Sequence, residues 1–129
     1  MEHELLLKRV YEPCEPQDGY RILVDRLWPR GIKKEAAQLD EWAKEITPST
    51  EIRRLYHQGD MPFEGFSQAY LEELESNEAS ETFVSNCSEQ LKSQNVTLVY
   101  GAKNEQENHA MVLREWLKRK IAGGQYVAR

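Results

Sequence analysis

Two short stretches of this sequence carry side chains suited to holding an anion. In VDRLWPRG, residues 24–31, Asp25, Arg26 and Arg30 surround a Trp28-Pro29 step; in GAKNEQENHA, residues 101–110, Lys103, Asn108 and His109 stand close together. An arginine guanidinium is a rigid planar fork that meets a carboxylate or phosphate through two parallel hydrogen bonds. Arg26 and Arg30 therefore read as a clamp, supported by Trp28, by Pro29, which fixes one φ angle, and by Gly31, which permits an otherwise strained turn. Lys103 and Asn108 would add a charge and a polar contact to the same anion. His109 is of the residue type that most often serves as a general acid or base, with Asp25 orienting an arginine or accepting a proton and Lys103 neutralising charge. Hydrolysis or group transfer on a phosphorylated or nucleotide-like small molecule is the chemistry these roles allow.

Each of these residues also has a structural reading. The arginines have Asp25, Asp40 and Glu41 nearby as ion-pair partners, and Trp28 beside a proline makes an efficient lid on a helix. His109 can be a hydrogen-bonded core residue, Lys103 a surface lysine, and His57 a capping or surface residue at the end of a short helix. Cys14 and Cys87 have neither CxxC spacing nor a histidine at an assignable catalytic distance, so they read as two reduced thiols in a cytoplasmic protein.

The elements that must position these side chains follow from periodicity. Residues 5–11 and 20–24 (YRILV) are short apolar runs of strand character, separated by EPCEPQD, whose prolines and closing Asp-Gly mark a loop. Residues 35–46 change period. Ala36, Leu39, Trp42, Ala43 and Ile46 recur at helical spacing and predict an amphipathic helix. Thr47-Pro48 resembles an N-cap followed by proline at the first helical position, opening a short helix through Tyr56 that Gly59 can close. Two further helices are predicted from about Phe63, with Phe66, Tyr70, Leu71 and Leu74 on one side, and over 80–92, with Phe83, Val84, Cys87 and Leu91 as its stripe. VTLVY, residues 96–100, returns to strand, and residues 107–121 form the last helix, stopped by Gly123-Gly124.

Strands separated by helices imply one α/β domain over residues 1–129, with a small, mostly parallel central sheet flanked by about five helices. Three strands are clear, and a further short one would have to hide in a segment read as helix or loop. Open α/β sheets bind ligands outside the carboxyl ends of their strands. If strands 20–24 and 96–100 are parallel neighbours, both charged clusters project from one edge. The last helix would add its free N–H groups and positive dipole end near Glu107 to His109.

Composition limits the partners. Seventeen Lys and Arg against 22 Asp and Glu give a formal charge of −5, which disfavours indiscriminate adhesion to nucleic acid or anionic membranes, so an anion site has to be local. At 40% hydrophobic and 30% charged residues, with five prolines and seven glycines, the chain is neither disordered nor fibrous. No signal peptide or membrane-spanning run is visible. No Walker loop, GxGxxG, HExxH or GxSxG motif occurs, so neither a metal nor a cofactor is indicated.

The separated stretches KRVYEPCEPQDGYRILVDRLWPRG, WAKEITPS, His57 and TLVYGAKNEQENHAMVL together resemble the bacterial YeaO-like family, a domain of unknown function, over roughly residues 6–118. The resemblance places shared positions on Arg9 to Tyr11, Asp18-Gly19, Asp25 to Gly31, Lys34-Glu35, Pro48-Ser49, Ala102-Lys103 and Asn108 to Ala110. It implies a compact α/β domain with polar residues at the strand ends, and no established reaction. Asn104 stands where many members have Asp. The wider superfamily often carries a Cys-His-Arg near this helix start, where this chain reads NHAMVL, so a thiol mechanism is unsupported there.

Two classes of function remain. In one, the chain is an enzyme acting on the bound small anion. In the other, it is a non-catalytic ligand sensor or protein-interaction module using the same arginines. Sequence-tolerant nucleic-acid contact through Arg26, Arg30, Lys33, Lys34 and Trp28 is a weaker third, whose sign would be steep salt dependence.

Overall fold

A computed structural model describes residues 3–123 of the chain. Four strands, β1 (Leu5–Arg9), β2 (Tyr20–Leu23), β3 (Glu41–Trp42) and β4 (Val96–Tyr100), form one sheet in the order β1-β4-β2-β3, and every pairing is parallel. The helices are α1 (Lys34–Ala37), α2 (Thr50–His57), α3 (Phe63–Ser76), α4 (Ser80–Leu91) and α5 (His109–Ala122). Over the described residues the chain is thus an α/β domain with five α-helices about a wholly parallel sheet. Among the described residues no helix is long and apolar enough to cross a membrane.

β4 explains itself. It lies between β1 and β2, all five of its residues are buried, and VTLVY is the continuous apolar run that a strand covered on both faces requires. Parallel register puts Leu7, Leu98 and Ile22 in one row. With Val24, Val96 and Tyr100, Leu98 and Ile22 face the main core, into which α3, α4 and α5 send Phe66, Tyr70, Leu74, Val84, Leu113 and Trp116. These are the helical stripes expected from spacing. The opposite face carries a smaller cluster, Val10, Leu23 and Val99, covered by Trp28, Ile32, Leu39 and Trp42 from an irregular segment. The two indoles meet edge to face with centroids 5.2 Å apart.

That irregular segment corrects the expected helix over 35–46. Helical backbone lasts only for Lys34–Ala37, ends at Gln38 in the left-handed conformation (φ 48°), and gives way to β3 and a 3-10 turn at Lys44–Ile46. The cause is Arg21. Its guanidinium donates to the Ala37 carbonyl at 2.8 Å and its Nε to the Gln38 carbonyl at 3.2 Å, acceptors that a continuing helix would have used itself. The Asp40 carboxylate accepts the Arg21 N–H at 2.9 Å, Asp40 N–H bonds the Arg21 carbonyl, and Ala43 N–H bonds that of Leu23, so the chain is drawn onto the edge of β2. The short strand concealed in a segment of helical spacing is β3.

Thr47 does not cap the next helix either. Its hydroxyl closes the 3-10 turn on the Lys44 carbonyl at 2.6 Å, and Ser49 caps α2 by accepting the Ile52 N–H. Gly59, at φ +84°, follows the end of α2 as expected. α5 begins two residues later than its spacing predicts, at His109, behind the N-cap Asn108. Gly123 is its C-cap, and Gly124 lies outside the described residues.

The loop between β1 and β2 contains a feature that its composition does not announce. Asp18 is buried beneath it and binds both Lys8, at 2.9 Å, and Arg21. Burial on its own would raise the Asp18 carboxyl. Hydrogen bonds from Lys8, the Glu15 backbone and Arg21 outweigh that and hold it below the usual carboxylate range.

Candidate functional site

β2 and β4 end side by side, with Val24 N–H bonded to the Val99 carbonyl at 2.9 Å. Their exits therefore deliver the two polar stretches to one edge, as the parallel arrangement required. Just past β2, Asp25 is fully engaged: Oδ2 accepts the Gly101 N–H at 2.9 Å, Oδ1 lies 2.9 Å from His109 Nε2, and its backbone carbonyl accepts the Trp42 indole N–H at 2.7 Å. His109 Nε2 is also 2.9 Å from the Val24 carbonyl. A carbonyl and a carboxylate can only accept, so Nε2 carries a proton and donates to both. Asp25 and His109 thereby join the exits of β2 and β4 to the start of α5.

Beside this junction lies a cavity of about 640 Å³. One wall is Arg26 with Leu27, a second is Lys103 with Asn104, and Asn108 and His109 close the base of α5. A third wall was not expected from the sequence: α2 contributes Arg53, Tyr56 and His57, with Phe66 of α3 beside them. Positions 53, 56 and 57 share one helical face by the i, i+3, i+4 rule, which is the signal that could have identified Arg53 and Tyr56. His57, which the sequence offers as a capping or surface residue, stands exposed at the rim.

The electrostatics of the cavity are unbalanced. Arg26 donates from Nε to the Pro48 carbonyl at 3.3 Å, and no carboxylate among the described residues forms an ion pair with Arg26, Arg53 or Lys103. The Nε of Arg53 is buried without a hydrogen-bond partner among the described residues. A buried donor left unmade is costly, about 1–3 kcal/mol and more for a charged group. In a chain of net charge −5, three cations without carboxylate partners converge on one cavity.

Not every expected residue is there. Arg30 is exposed, does not line the cavity, and contributes its carbonyl to the Tyr11 hydroxyl at 3.0 Å. The cause is Trp28, which carries the chain to the opposite sheet face, packs on the Leu23 and Val99 cluster and donates its indole N–H to the Ile32 carbonyl at 2.7 Å. Pro29 is buried, and Gly31 has φ +79°, the left-handed turn for which glycine suits. Arg26 and Arg30 therefore do not face one another across this cavity. Asn108 lines it, but its side-chain oxygen caps the Met111 N–H at 2.9 Å and its amide donates to the Asn104 carbonyl at 2.8 Å.

Among the described residues the lining contains no Cys, Ser or Thr. Cys87 is in the main core, where burial pushes its thiol far up, and Cys14 is half-buried in the loop between β1 and β2. Among the described residues no group of three or more His, Cys, Asp or Glu side chains is arranged to hold a metal ion.

A family model described as the inactive DUF488-N3 subclade matches residues 4–127. The chain is 52% identical over 111 residues to the uncharacterised protein YeaO of Escherichia coli (strain K12), an alignment covering 86% of this chain and 94% of that protein. It is 42% identical over 78 residues to the uncharacterised proteins Mb3100c of Mycobacterium bovis and Rv3073c of Mycobacterium tuberculosis, covering 60% of this chain and 66% of each of them. No solved structure matches.

Proposed function

This chain belongs to the YeaO-like family, within the inactive DUF488-N3 subclade, and on that footing we propose that its cavity is a receptor for a small phosphorylated anion, bound without being turned over. The observation that carries the reading is the set of Arg26, Arg53 and Lys103, without carboxylate partners around one cavity, with the Arg53 Nε buried and unsatisfied. A phosphate would give these three cations the anionic partner they lack. Three further points favour binding over chemistry. The subclade is described as inactive, the lining has, among the described residues, no hydroxyl or thiol nucleophile beyond the Tyr56 phenol, and the Asp25 and His109 side chains are occupied in joining strand exits to α5.

The test is calorimetric titration of the full chain with inorganic phosphate and ribose 5-phosphate at low ionic strength. Binding is expected in wild type, weakened roughly tenfold to a hundredfold in Arg53→Met, the loss corresponding to one charge-assisted hydrogen bond. If neither anion binds, or Arg53→Met binds as wild type does, the receptor reading fails.

One observation favours a catalytic reading, in which the chain is a hydrolase or transferase. An imidazole held by a carboxylate at 2.9 Å in a cavity wall is the arrangement of an oriented acid or base. Turnover of a bound phosphate ester by wild type and not by His109→Gln would establish it. Binding without turnover would support the receptor.

A further inference from the structure

The three chemically different walls of the cavity ask for more than a phosphate. Tyr56 is stacked on Phe66, centroids 4.8 Å apart and planes 25° apart, and both rings line the cavity. Phe63 backs this pair, 5.8 Å from Tyr56 and 6.2 Å from Phe66, so the Tyr56 ring is held as part of an aromatic wall. A bare phosphate gains nothing from such a surface. At the rim, Glu107 lines the cavity close to Tyr56, and its carboxylate has neither an ion-pair nor a hydrogen-bond partner among the described residues. A free carboxylate opposes a phosphate and favours a group that donates hydrogen bonds. Asp25, the other carboxylate, is already occupied by Gly101 and His109.

We propose that the ligand is a nucleoside monophosphate: its phosphate is held by Arg26, Arg53 and Lys103, its base lies against Tyr56, and a sugar hydroxyl or base amino group donates to Glu107. This rests on the reading of the cavity as an anion receptor. The size agrees, since about 640 Å³ lies within the range of roughly 300–1,000 Å³ usual for small-molecule sites. Stacking of a base on an aromatic side chain tolerates any base, because every base has a π face.

The experiment is calorimetric titration of the full chain with AMP, GMP, CMP and UMP, and with ribose 5-phosphate and inorganic phosphate as controls. At least one nucleotide is expected to bind about tenfold more tightly than ribose 5-phosphate, the gain attributable to base stacking. Tyr56→Leu should remove that gain while leaving ribose 5-phosphate affinity within about twofold. Glu107→Gln, an exposed substitution, should weaken the nucleotide and strengthen inorganic phosphate, which keeps the idea testable if Tyr56→Leu proves unstable on thermal unfolding. Equal affinity for nucleotides and ribose 5-phosphate, or nucleotide binding unmoved by both substitutions, overturns this inference and leaves the anion receptor standing. If none of these compounds binds, both fall together.

Discussion

The Nε2 of His109 lies 2.9 Å from Oδ1 of Asp25, and the other oxygen of that carboxylate lies 2.9 Å from the backbone nitrogen of Gly101. Three chain segments far apart in sequence are thus joined through one carboxylate: the exit of β2, the exit of β4 and the first residue of α5. The arrangement fixes where the walls of the cavity stand relative to one another.

His109→Ala should therefore cost stability before it costs anything else. It removes a donor from the Val24 carbonyl and from a partly buried carboxylate, which amounts to about 1–3 kcal/mol. His109→Gln retains a donor and should recover part of the loss. Urea unfolding of the three proteins measures this, and a His109→Ala variant as stable as wild type would mean that the junction contributes nothing.

Asp18 gives the fold a dependence on acid. Its carboxyl is held below the ordinary value because Lys8, Arg21 and the Glu15 backbone favour the charged form against the cost of burial. A depressed folded-state pKa stabilises the fold above the unfolded value of about 3.9, and that stability is lost as pH falls through the folded value. Asp18→Asn should destabilise the protein at pH 7 by about 3–5 kcal/mol, since Lys8 and Arg21 would be left without their shared partner. Below about pH 4 the gap between the two proteins should narrow, because Asp18 of the unfolded wild-type chain then takes up a proton that the folded carboxyl still resists. A gap that is constant from pH 7 to pH 3 contradicts this account.

Gly19 is next to that aspartate and has φ +66° and ψ −128°, a backbone region suited only to glycine. A Cβ there would collide with the carbonyl of Asn95, which accepts the Tyr20 N–H at 2.8 Å where β2 joins β4. Gly19→Ala is expected to lose about 3 kcal/mol or more through strain and displaced backbone. Thermal unfolding checks it; a shift of only a degree or two would show that the loop yields freely.

The two thiols should react in sequence. Cys87 is fully buried and its thiol is pushed far above the ordinary value by desolvation, while Cys14 is partly accessible. A thiol reagent at pH 8 is expected to modify Cys14 in the native protein and Cys87 only after denaturant is added. Rapid labelling of both in the native state would mean that the core around α4 opens far more readily than its packing indicates.

Much of the fold can be read in the residue order because it depends on local patterns. VTLVY is apolar without interruption and buries both faces, and the stripes through Phe66, Tyr70 and Leu74 and through Leu113, Trp116 and Leu117 repeat at helical spacing. The position of Asp25 and His109 at one edge follows as well, since each stands just past an element that such patterns define. The YeaO-like resemblance rests on residues in these same stretches.

What the chain order could not contain was the destination of hydrogen bonds and side chains that find partners far away. Residues 35–46 have helical spacing, but Arg21 takes the carbonyls of Ala37 and Gln38 and β2 takes the backbone beyond them, so a strand forms. Arg30 belongs to a stretch that looks like a clamp, but the pull of Trp28 toward Leu23 and Val99 removes it from the cavity. Arg53 and Tyr56 look like ordinary helical residues until α2 is set against the exits of β2 and β4. Periodicity records which face of an element is apolar, because that preference belongs to each residue. Which other element meets that face is decided only when the whole core is assembled, since the contact free energy belongs to pairs distant in sequence.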